Sequence, residues 1–132
     1  MQKYKFLEHT ADMMFEAYGK SYPEALQNAA EALFFVIGKA AAKEKVSLSV
    51  SAENIEELTV FALSDLLSAS DTKEMVFSKL VVKEFDPKKL SLSLEAYGEK
   101  RRPQMSVKAV TYHELLVKEE NGQWTIRILL DV

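Results

Sequence analysis

The segment Glu8–Asp12 joins two predicted strands and places a histidine, a hydroxyl and a carboxylate, those of His9, Thr10 and Asp12, in one tight turn. Side chains of these types in one tight turn can bind a metal ion or move a proton, because histidine titrates near neutral pH and carboxylates coordinate hard cations. The same residues also fit an ordinary turn, in which Thr10 and Asp12 accept hydrogen bonds from nearby backbone N–H groups. The turn is the more frequent outcome for such a segment, and the residues by themselves leave both interpretations open.

A second candidate lies at the other end of the sequence, where Asp131 is followed by the terminal carboxylate of Val132. Two anionic groups so close repel each other unless a cation or a hydrogen-bond donor compensates. Calcium tolerates an irregular set of oxygen ligands of this kind. The alternative is a solvated strand end, which the residues alone favour.

The dipeptide Asn121-Gly122 predicts a two-residue hairpin turn between the last two strands. Counting outward from this turn pairs His113 with Leu130, on the face that carries Trp124, which we assign to the core. His113 is therefore predicted to be a partly buried histidine with satisfied hydrogen bonds rather than a metal ligand.

The same register pairs Tyr112 with Asp131 on the face away from the core. Lys108 shares that parity but precedes Tyr112 by four residues, which is roughly 13 Å along an extended strand. A contact between Lys108 and Asp131 would therefore require a bulge or a bent strand.

Composition excludes several classes of protein. The 132 residues include no cysteine, which removes disulfide frameworks, thiolate zinc sites and thiol nucleophiles. With 17 basic and 20 acidic residues and no basic run longer than Lys100–Arg102, strong direct binding to nucleic acid is not expected. No apolar run is long enough to span a membrane and no signal peptide is recognisable, so a cytoplasmic location is expected.

Apolar periodicity predicts the element order ββαβαββββ in a single domain over residues 1–132. Each helix begins at a capping signal, Ser21 with Glu24 and Asn54 with Glu57. We therefore expect an α+β fold with a mostly antiparallel sheet and the two helices packed on one side.

Several segments resemble the archease family. They occur in the family's order and are spread over nearly the whole sequence, and the combination of HTAD, KAVTYH and a terminal DV is specific. The segments are Phe6–Asp12, Ala17–Ser21, Glu24–Ala30, Tyr97–Glu99, Val107–His113 and Asp131–Val132.

The resemblance implies a function that the residues alone do not give. Archeases are non-catalytic activators of the RtcB-type RNA ligase in tRNA splicing, and they promote guanylylation of the ligase and multiple turnover. The family binds a divalent cation, typically Ca²⁺, and the matching residues here are Asp12, Asp131 and Val132. Lys108 matches a lysine that matters for activation, and we assign His9 to the same partner surface. The two aspartates must then meet at one end of the sheet.

The sequence departs from the family pattern in two places. The second helix reads Leu58–Leu67 without the tryptophan that the family usually carries there. The segment Lys100–Met105 is basic where the family often has an acid and a histidine. The second departure removes any role that the missing histidine would have had, and the added positive charge could alter the choice of partner.

Two other functions stay open at this point. A small metal-dependent hydrolase acting on nucleotides or RNA would use His9, Asp12 and Asp131, with His9 as the group for acid–base work. A non-catalytic RNA-binding module would use the basic residues 100–102. A turnover assay without the ligase separates the first from an activator, and retention of RNA at ordinary salt would favour the second.

Overall fold

The computed structural model describes residues 2–8 and 12–132. Within these ranges seven strands and two helices follow the order ββαβαββββ, as predicted. The strands are β1 (Tyr4–Leu7), β2 (Met13–Gly19), β3 (Glu44–Ser51), β4 (Met75–Asp86), β5 (Ser91–Lys100), β6 (Ala109–Glu120) and β7 (Gln123–Asp131), and the helices are α1 (Tyr22–Ile37) and α2 (Ile55–Lys73).

The strands form two antiparallel sheets. Sheet A has the order β1-β2-β7-β6, and sheet B has the order β3-β5-β4. The predicted α+β class is confirmed, but the strands are divided between two sheets instead of lying in one. The physical reason lies in α1, which is buried around most of its circumference and must be covered on more than one side. It contacts β2 of sheet A and β4 of sheet B.

The start of α1 is fixed by the predicted capping signal and by a close approach to β2. The Ser21 hydroxyl accepts a hydrogen bond from the Glu24 N–H at 3.2 Å, and the Glu24 carboxylate accepts one from the Lys20 N–H at 2.8 Å. A Cβ at Gly19 would lie 2.4 Å from the backbone nitrogen of Ala25. Only glycine therefore allows the helix to begin this close to the strand.

Helix α2 is capped as predicted and continues to Lys73, slightly beyond its predicted end. Its Asn54 cap accepts a hydrogen bond from the Glu57 N–H at 2.8 Å. The fully buried Thr59 hydroxyl shares a 2.8 Å hydrogen bond with Tyr22 of α1, so the two helices meet through a satisfied polar pair. Neither helix of the described ranges is long and apolar enough to span a lipid bilayer.

The helix-facing side of sheet A is apolar and its centre is completely shielded from solvent. Trp124 belongs to the same face, as predicted, and its ring contacts that of Tyr22 at 5.6 Å. Trp124 is half-buried, whereas the central residues of this face are 0% exposed: Phe15, Ala17, Ile126, Ile128 and Leu130.

The basic segment Lys100–Arg102, which begins at the last residue of β5, supports the ends of both helices. Lys100 donates from Nζ to the carbonyl of Lys73 at 3.0 Å, and Arg101 donates from Nη1 to the carbonyl of Lys39 at 2.8 Å. Helix α1 has no basic residue in its last turn, so Arg101 brings positive charge to the negative end of that helix from outside. Two of the three basic side chains thus serve the fold, which argues against the segment as an RNA-binding patch.

We expect Arg101→Ala to lower the free energy of unfolding by about 1 kcal/mol, because it removes a charged hydrogen bond near a helix end. The matched control is Arg102→Ala, an exposed neighbour that should change stability by less than about 0.5 kcal/mol. Urea unfolding monitored by circular dichroism measures both. Equal stability of the two variants would contradict this role for Arg101.

Candidate functional site at one end of sheet A

The pairing of β2 with β7 brings the two candidate aspartates to the same end of sheet A. The last pair of this ladder is Met13 with Leu130. Continuing the antiparallel register by one residue places Asp12 beside Asp131. Both residues are half-buried. The register thus provides the juxtaposition that the predicted cation site requires.

The two aspartates also share a face. Side chains alternate along a strand, so Asp12 has the parity of Glu16, and Asp131 has the parity of Arg127. Glu16 and Arg127 are themselves paired in the ladder and lie on the side away from the 0% exposed core positions. Asp12 and Asp131 therefore belong to the outer face of sheet A, as the sequence predicted for Asp131.

The backbone of Lys108 lies at the same end of sheet A as the two aspartates. Its N–H donates to the carbonyl of Asp131 at 2.7 Å, and the next residue, Ala109, pairs with Asp131 in the ladder. The Lys108 side chain is exposed. The structure therefore brings Asp12, Asp131 and Lys108 to one end of the sheet, although Asp12 lies far from the other two in the sequence.

A bulge in β6 makes this position of Lys108 possible. From Glu120 to Leu116 the paired residue numbers add to 243, as predicted from the turn, but from Thr111 to Ala109 they add to 240. The three extra residues include Glu114, which has a φ of 54°. Without the bulge Tyr112 would oppose Asp131, and Lys108 would lie well beyond the end of β7.

The bulge overturns three predictions made for this strand. Tyr112 does not pair with Asp131, and His113 does not pair with Leu130; His113 is exposed, and so is most of Tyr112. Val110 takes the position opposite Leu130 and is buried. The register shifts by three residues, an odd number. Residues of β6 before the bulge therefore lie on the opposite face from the one predicted. The prediction that Lys108 and Asp131 share a face is wrong.

Sequence reasoning did not include Glu8 in the site. Glu8 directly follows β1, whose last pair joins Leu7 to Met14, so it lies at the same end of sheet A, but it has the parity of Phe6 and therefore the opposite face from the two aspartates. The signal was available in its position at the end of a strand paired with β2. His9 was a predicted site residue and lies outside the described residues. We call Asp12 and Asp131 the acidic end.

The acidic end fits a hard cation in its donor chemistry but does not form a complete ligand cage. Carboxylates are suitable ligands for Ca²⁺, which takes six to eight oxygens. Within residues 2–8 and 12–132, no three histidine, aspartate or glutamate side chains are close enough to hold a metal ion. The two aspartates could supply part of a coordination shell that water or a partner protein completes.

Three cavities among the described residues lie away from the acidic end. A cavity of about 720 Å³ lies on sheet B, and smaller ones of about 390 and 270 Å³ lie near the end of α1. None of these three cavities is lined by Asp12, Asp131 or Lys108.

A polar network on the outer face ties β2 to β7 next to the site. The Glu16 carboxylate accepts hydrogen bonds from Arg127 Nε at 3.0 Å and from the Tyr18 hydroxyl at 2.9 Å, and Arg127 Nη2 lies 2.9 Å from it in an ion pair. Burial by itself raises the pKa of Glu16, but the hydrogen bonds from Tyr18 and Arg127 outweigh it and hold that pKa below its usual value. Burial and the neighbouring Glu16 raise the pKa of Tyr18 to about 12.

Comparison with known proteins adds information about the whole chain. The family described as "Archease protein family (MTH1598/TM1083)" matches residues 4–132. The chain is 36% identical to a protein archease of Sulfurisphaera tokodaii over 100% of both chains, and 35% identical to one of Pyrococcus abyssi over 100% of both.

Two solved structures share the fold. Protein 1598 of Methanobacterium thermoautotrophicum has a TM-score of 0.83 and 33% identity, with 100% of both chains covered. A Thermotoga maritima protein described as an archease and possible chaperone has a TM-score of 0.68 and 22% identity, with 97% of this chain and 96% of that chain covered.

We expect Glu16→Gln to lower the free energy of unfolding at pH 7 by about 1 kcal/mol, because a partly buried charged hydrogen bond to Arg127 is weakened. The folded-state pKa of Glu16 is lowered, so its stabilising effect is present above the unfolded pKa of 4.5 and is lost as the pH falls through the folded value. The difference in free energy of unfolding between Glu16→Gln and the wild type should therefore be smaller at pH 3 than at pH 7.

The matched control for this measurement is Glu120→Gln, since Glu120 is exposed and lies 3.8 Å from Lys118. We expect it to behave like the wild type at both pH values. If Glu16→Gln lowers the free energy of unfolding by the same amount at pH 7 and pH 3, the electrostatic explanation is refuted.

Proposed function

Because this chain belongs to the archease family, we propose that it is a non-catalytic, chaperone-like activator of an RtcB-type RNA ligase in cytoplasmic tRNA splicing. In this proposal the chain promotes guanylylation of the ligase and multiple turnover, and makes or breaks no RNA bond itself. The observation that supports it most is the register of sheet A, which gathers Asp12, Asp131 and Lys108 at one end.

In this proposal Asp12 and Asp131 hold a divalent cation, most suitably Ca²⁺, with Val132 adding an oxygen ligand. When bound, the ion would offset the repulsion between the carboxylates and present positive charge to a phosphate or carboxylate group of the ligase complex. With one oxygen from each carboxylate, these three residues fill only part of the six to eight positions that Ca²⁺ takes. The site is then weak in the free protein and is completed by water or by the ligase.

Lys108 and His9 have the second role in the proposal. The exposed Lys108 side chain starts from the same end of sheet A as the aspartates, where it can contact a nucleotide phosphate or an acidic side chain of the ligase. The hydrogen bond from its own backbone N–H to Asp131 fixes the position from which the side chain extends. We assign His9 to the same partner surface because it precedes Asp12 by three residues in the sequence.

We expect Asp12→Ala to abolish stimulation of ligase guanylylation, because it removes one of the two proposed cation ligands. The melting temperature should change by no more than a few degrees, since Asp12 lies outside the hydrophobic core. A reconstituted assay with purified ligase, GTP and broken tRNA halves measures guanylylation and joining.

The matched control is Asp65→Ala, an exposed acid on α2 that should stimulate like the wild type. Stimulation that survives in Asp12→Ala would rule out the proposed role. Cleavage of RNA by the chain without ligase would instead favour a metal-dependent hydrolase that uses the same residues.

We expect 10 mM CaCl₂ to raise the melting temperature of the wild type by a few degrees. A site with a Kd of about 1 mM would add roughly 1.4 kcal/mol of stability at that concentration. Asp131→Asn should lose most of this gain because it removes a charged ligand. Thermal melts with and without EDTA measure the effect, and an equal rise in both proteins would show that Ca²⁺ binds elsewhere.

A further inference from the structure

One face of sheet B packs against the helices, and the other face is polar. On the packed face Leu92, Leu94 and Ala96 of β5 are buried in the core. The residues that alternate with them point to the opposite side, which we call the outer face of sheet B. Among the described residues, the exposed large apolar side chains lie on other parts of the chain: Phe6, Phe35, Phe61, Met105 and Tyr112. The outer face of sheet B therefore lacks the apolar anchors of a typical protein interface.

Four lysines surround a tyrosine on this outer face. In the ladder, Tyr97 of the central strand β5 lies between Lys45 of β3 and Lys79 of β4. The Lys79 Nζ is 4.8 Å from the centre of the Tyr97 ring. Two more lysines form ion pairs with neighbouring residues of β5. We call this group the lysine patch: Lys43, Lys45, Lys79, Lys83 and Tyr97.

The lysines of the patch outnumber the carboxylates between them. Glu95 lies 3.3 Å from Lys45 Nζ and 4.0 Å from Lys83 Nζ. Glu99 lies 3.6 Å from Lys43 Nζ. These two glutamate side chains are 17% and 20% exposed, whereas the three lysine side chains are 52%, 54% and 70% exposed. The carboxylates therefore hold the lysines from below, and the ammonium groups face solvent.

Away from the lysine patch the same face becomes rich in hydroxyl groups. Two pairs of serines from β3 and β5 line the cavity of about 720 Å³: Ser49, Ser51, Ser91 and Ser93. Glu84, Asp86 and Lys89 line the same cavity. Since six residues separate Tyr97 from Ser91, the cavity lies about 20 Å from the tyrosine along β5. The face thus carries positive charge at one end and mainly hydroxyl and carboxylate oxygens at the other.

We propose that the outer face of sheet B binds single-stranded RNA weakly, with phosphates on the lysine patch and ribose hydroxyls at the serine-lined cavity. Complementary charge favours an anionic ligand at the lysines. An acidic peptide would be repelled by Glu84 and Asp86, whereas the 2′-hydroxyls of RNA can donate hydrogen bonds to them. This inference goes beyond the proposed function and uses a surface separate from the acidic end.

Tyr97 supplies a ring on which a base can stack. Its hydroxyl donates to the Glu95 carboxylate at 2.9 Å, which fixes the orientation of the ring. The long Lys79 side chain allows its ammonium to turn from the ring to a phosphate while a base takes its place. Stacking of this kind accepts any base, so the binding has little sequence preference.

The net charge of −3 limits the affinity for RNA. Four lysine contacts with a single strand predict that the logarithm of the association constant falls with the logarithm of salt concentration with a slope of about −2.8. Binding should then weaken roughly twentyfold between 50 and 150 mM NaCl. This agrees with the absence of strong direct binding that the composition predicts, and makes the face suited to guiding a strand that another protein already holds.

The test measures the fluorescence anisotropy of a labelled oligouridine dodecamer with the full chain at 50 mM NaCl. We expect Lys45→Gln and Lys79→Gln each to raise the Kd by about threefold or more and to reduce the salt slope by about 0.7. The matched control is Lys118→Gln, an exposed lysine of sheet A that also lies beside a glutamate and should bind like the wild type. Urea unfolding verifies that the variants fold.

Two further variants separate direct contact with RNA from a structural role. Glu95→Gln should bind the RNA more tightly than the wild type, because it removes negative charge from between the lysines. Tyr97→Leu should weaken binding without changing the salt slope, and Tyr97→Phe should retain it. Weaker binding by Glu95→Gln would overturn the inference. Equal affinity for the deoxyuridine dodecamer would overturn the role of the ribose hydroxyls.

Stimulation of ligase guanylylation distinguishes this inference from the proposed function. Lys45→Gln should stimulate like the wild type, since the lysine patch and the acidic end belong to different sheets. A wild-type chain that binds RNA but does not stimulate would overturn the proposed function alone. No binding of RNA at 50 mM NaCl, or an equal loss in Lys118→Gln, would overturn the inference alone. Tighter binding of polyglutamate than of oligouridine would assign the patch to an acidic protein instead.

Discussion

The pairing of β2 with β7 in the middle of sheet A is the constraint on which the rest of the molecule depends. One face of both strands is buried, so the register cannot slip by a residue without turning Phe15 and Ile128 out of the core. The position of Asp12 beside Asp131 is therefore a consequence of hydrophobic packing. The acidic groups contribute little to specifying it, and their repulsion is tolerated because the core fixes the strands. Burial on one face thus allows charge to be concentrated at the end of the sheet.

Local signals in the sequence predicted the elements well. The sequence shows directly the capping pairs at Ser21 and Asn54 and the alternation of apolar residues, because these features depend only on residues close together in the chain. The Asn121-Gly122 turn also predicted the correct register for the nearer half of the hairpin. The division into two sheets was not predicted, because it follows from how the largely buried α1 is covered by strands distant in sequence.

The candidate site was predicted less completely than the fold. A shared cation site requires a strand order that brings Asp12 beside Asp131. Local patterns in the sequence do not determine that strand order. The bulge in β6 has no sequence signal of the usual kind, since the residue with positive φ is Glu114 rather than glycine or asparagine. As a result His113 was assigned to the core and Lys108 to the wrong face. The place of Glu8 at this end of the sheet was overlooked because it depends on how β1 pairs with β2.

The bulge has a consequence for how this hairpin can vary. It divides the pairing of β6 with β7 into two parts with different registers. The turn sets the register of one part, and the buried pair Val110 and Leu130 sets the register of the other. Changes near Asn121 that lengthen or shorten the tip can be absorbed at this irregular point. The turn therefore sets the register of the distal half of β6 but not that of the end that carries Lys108, while β7 runs unbroken through both halves.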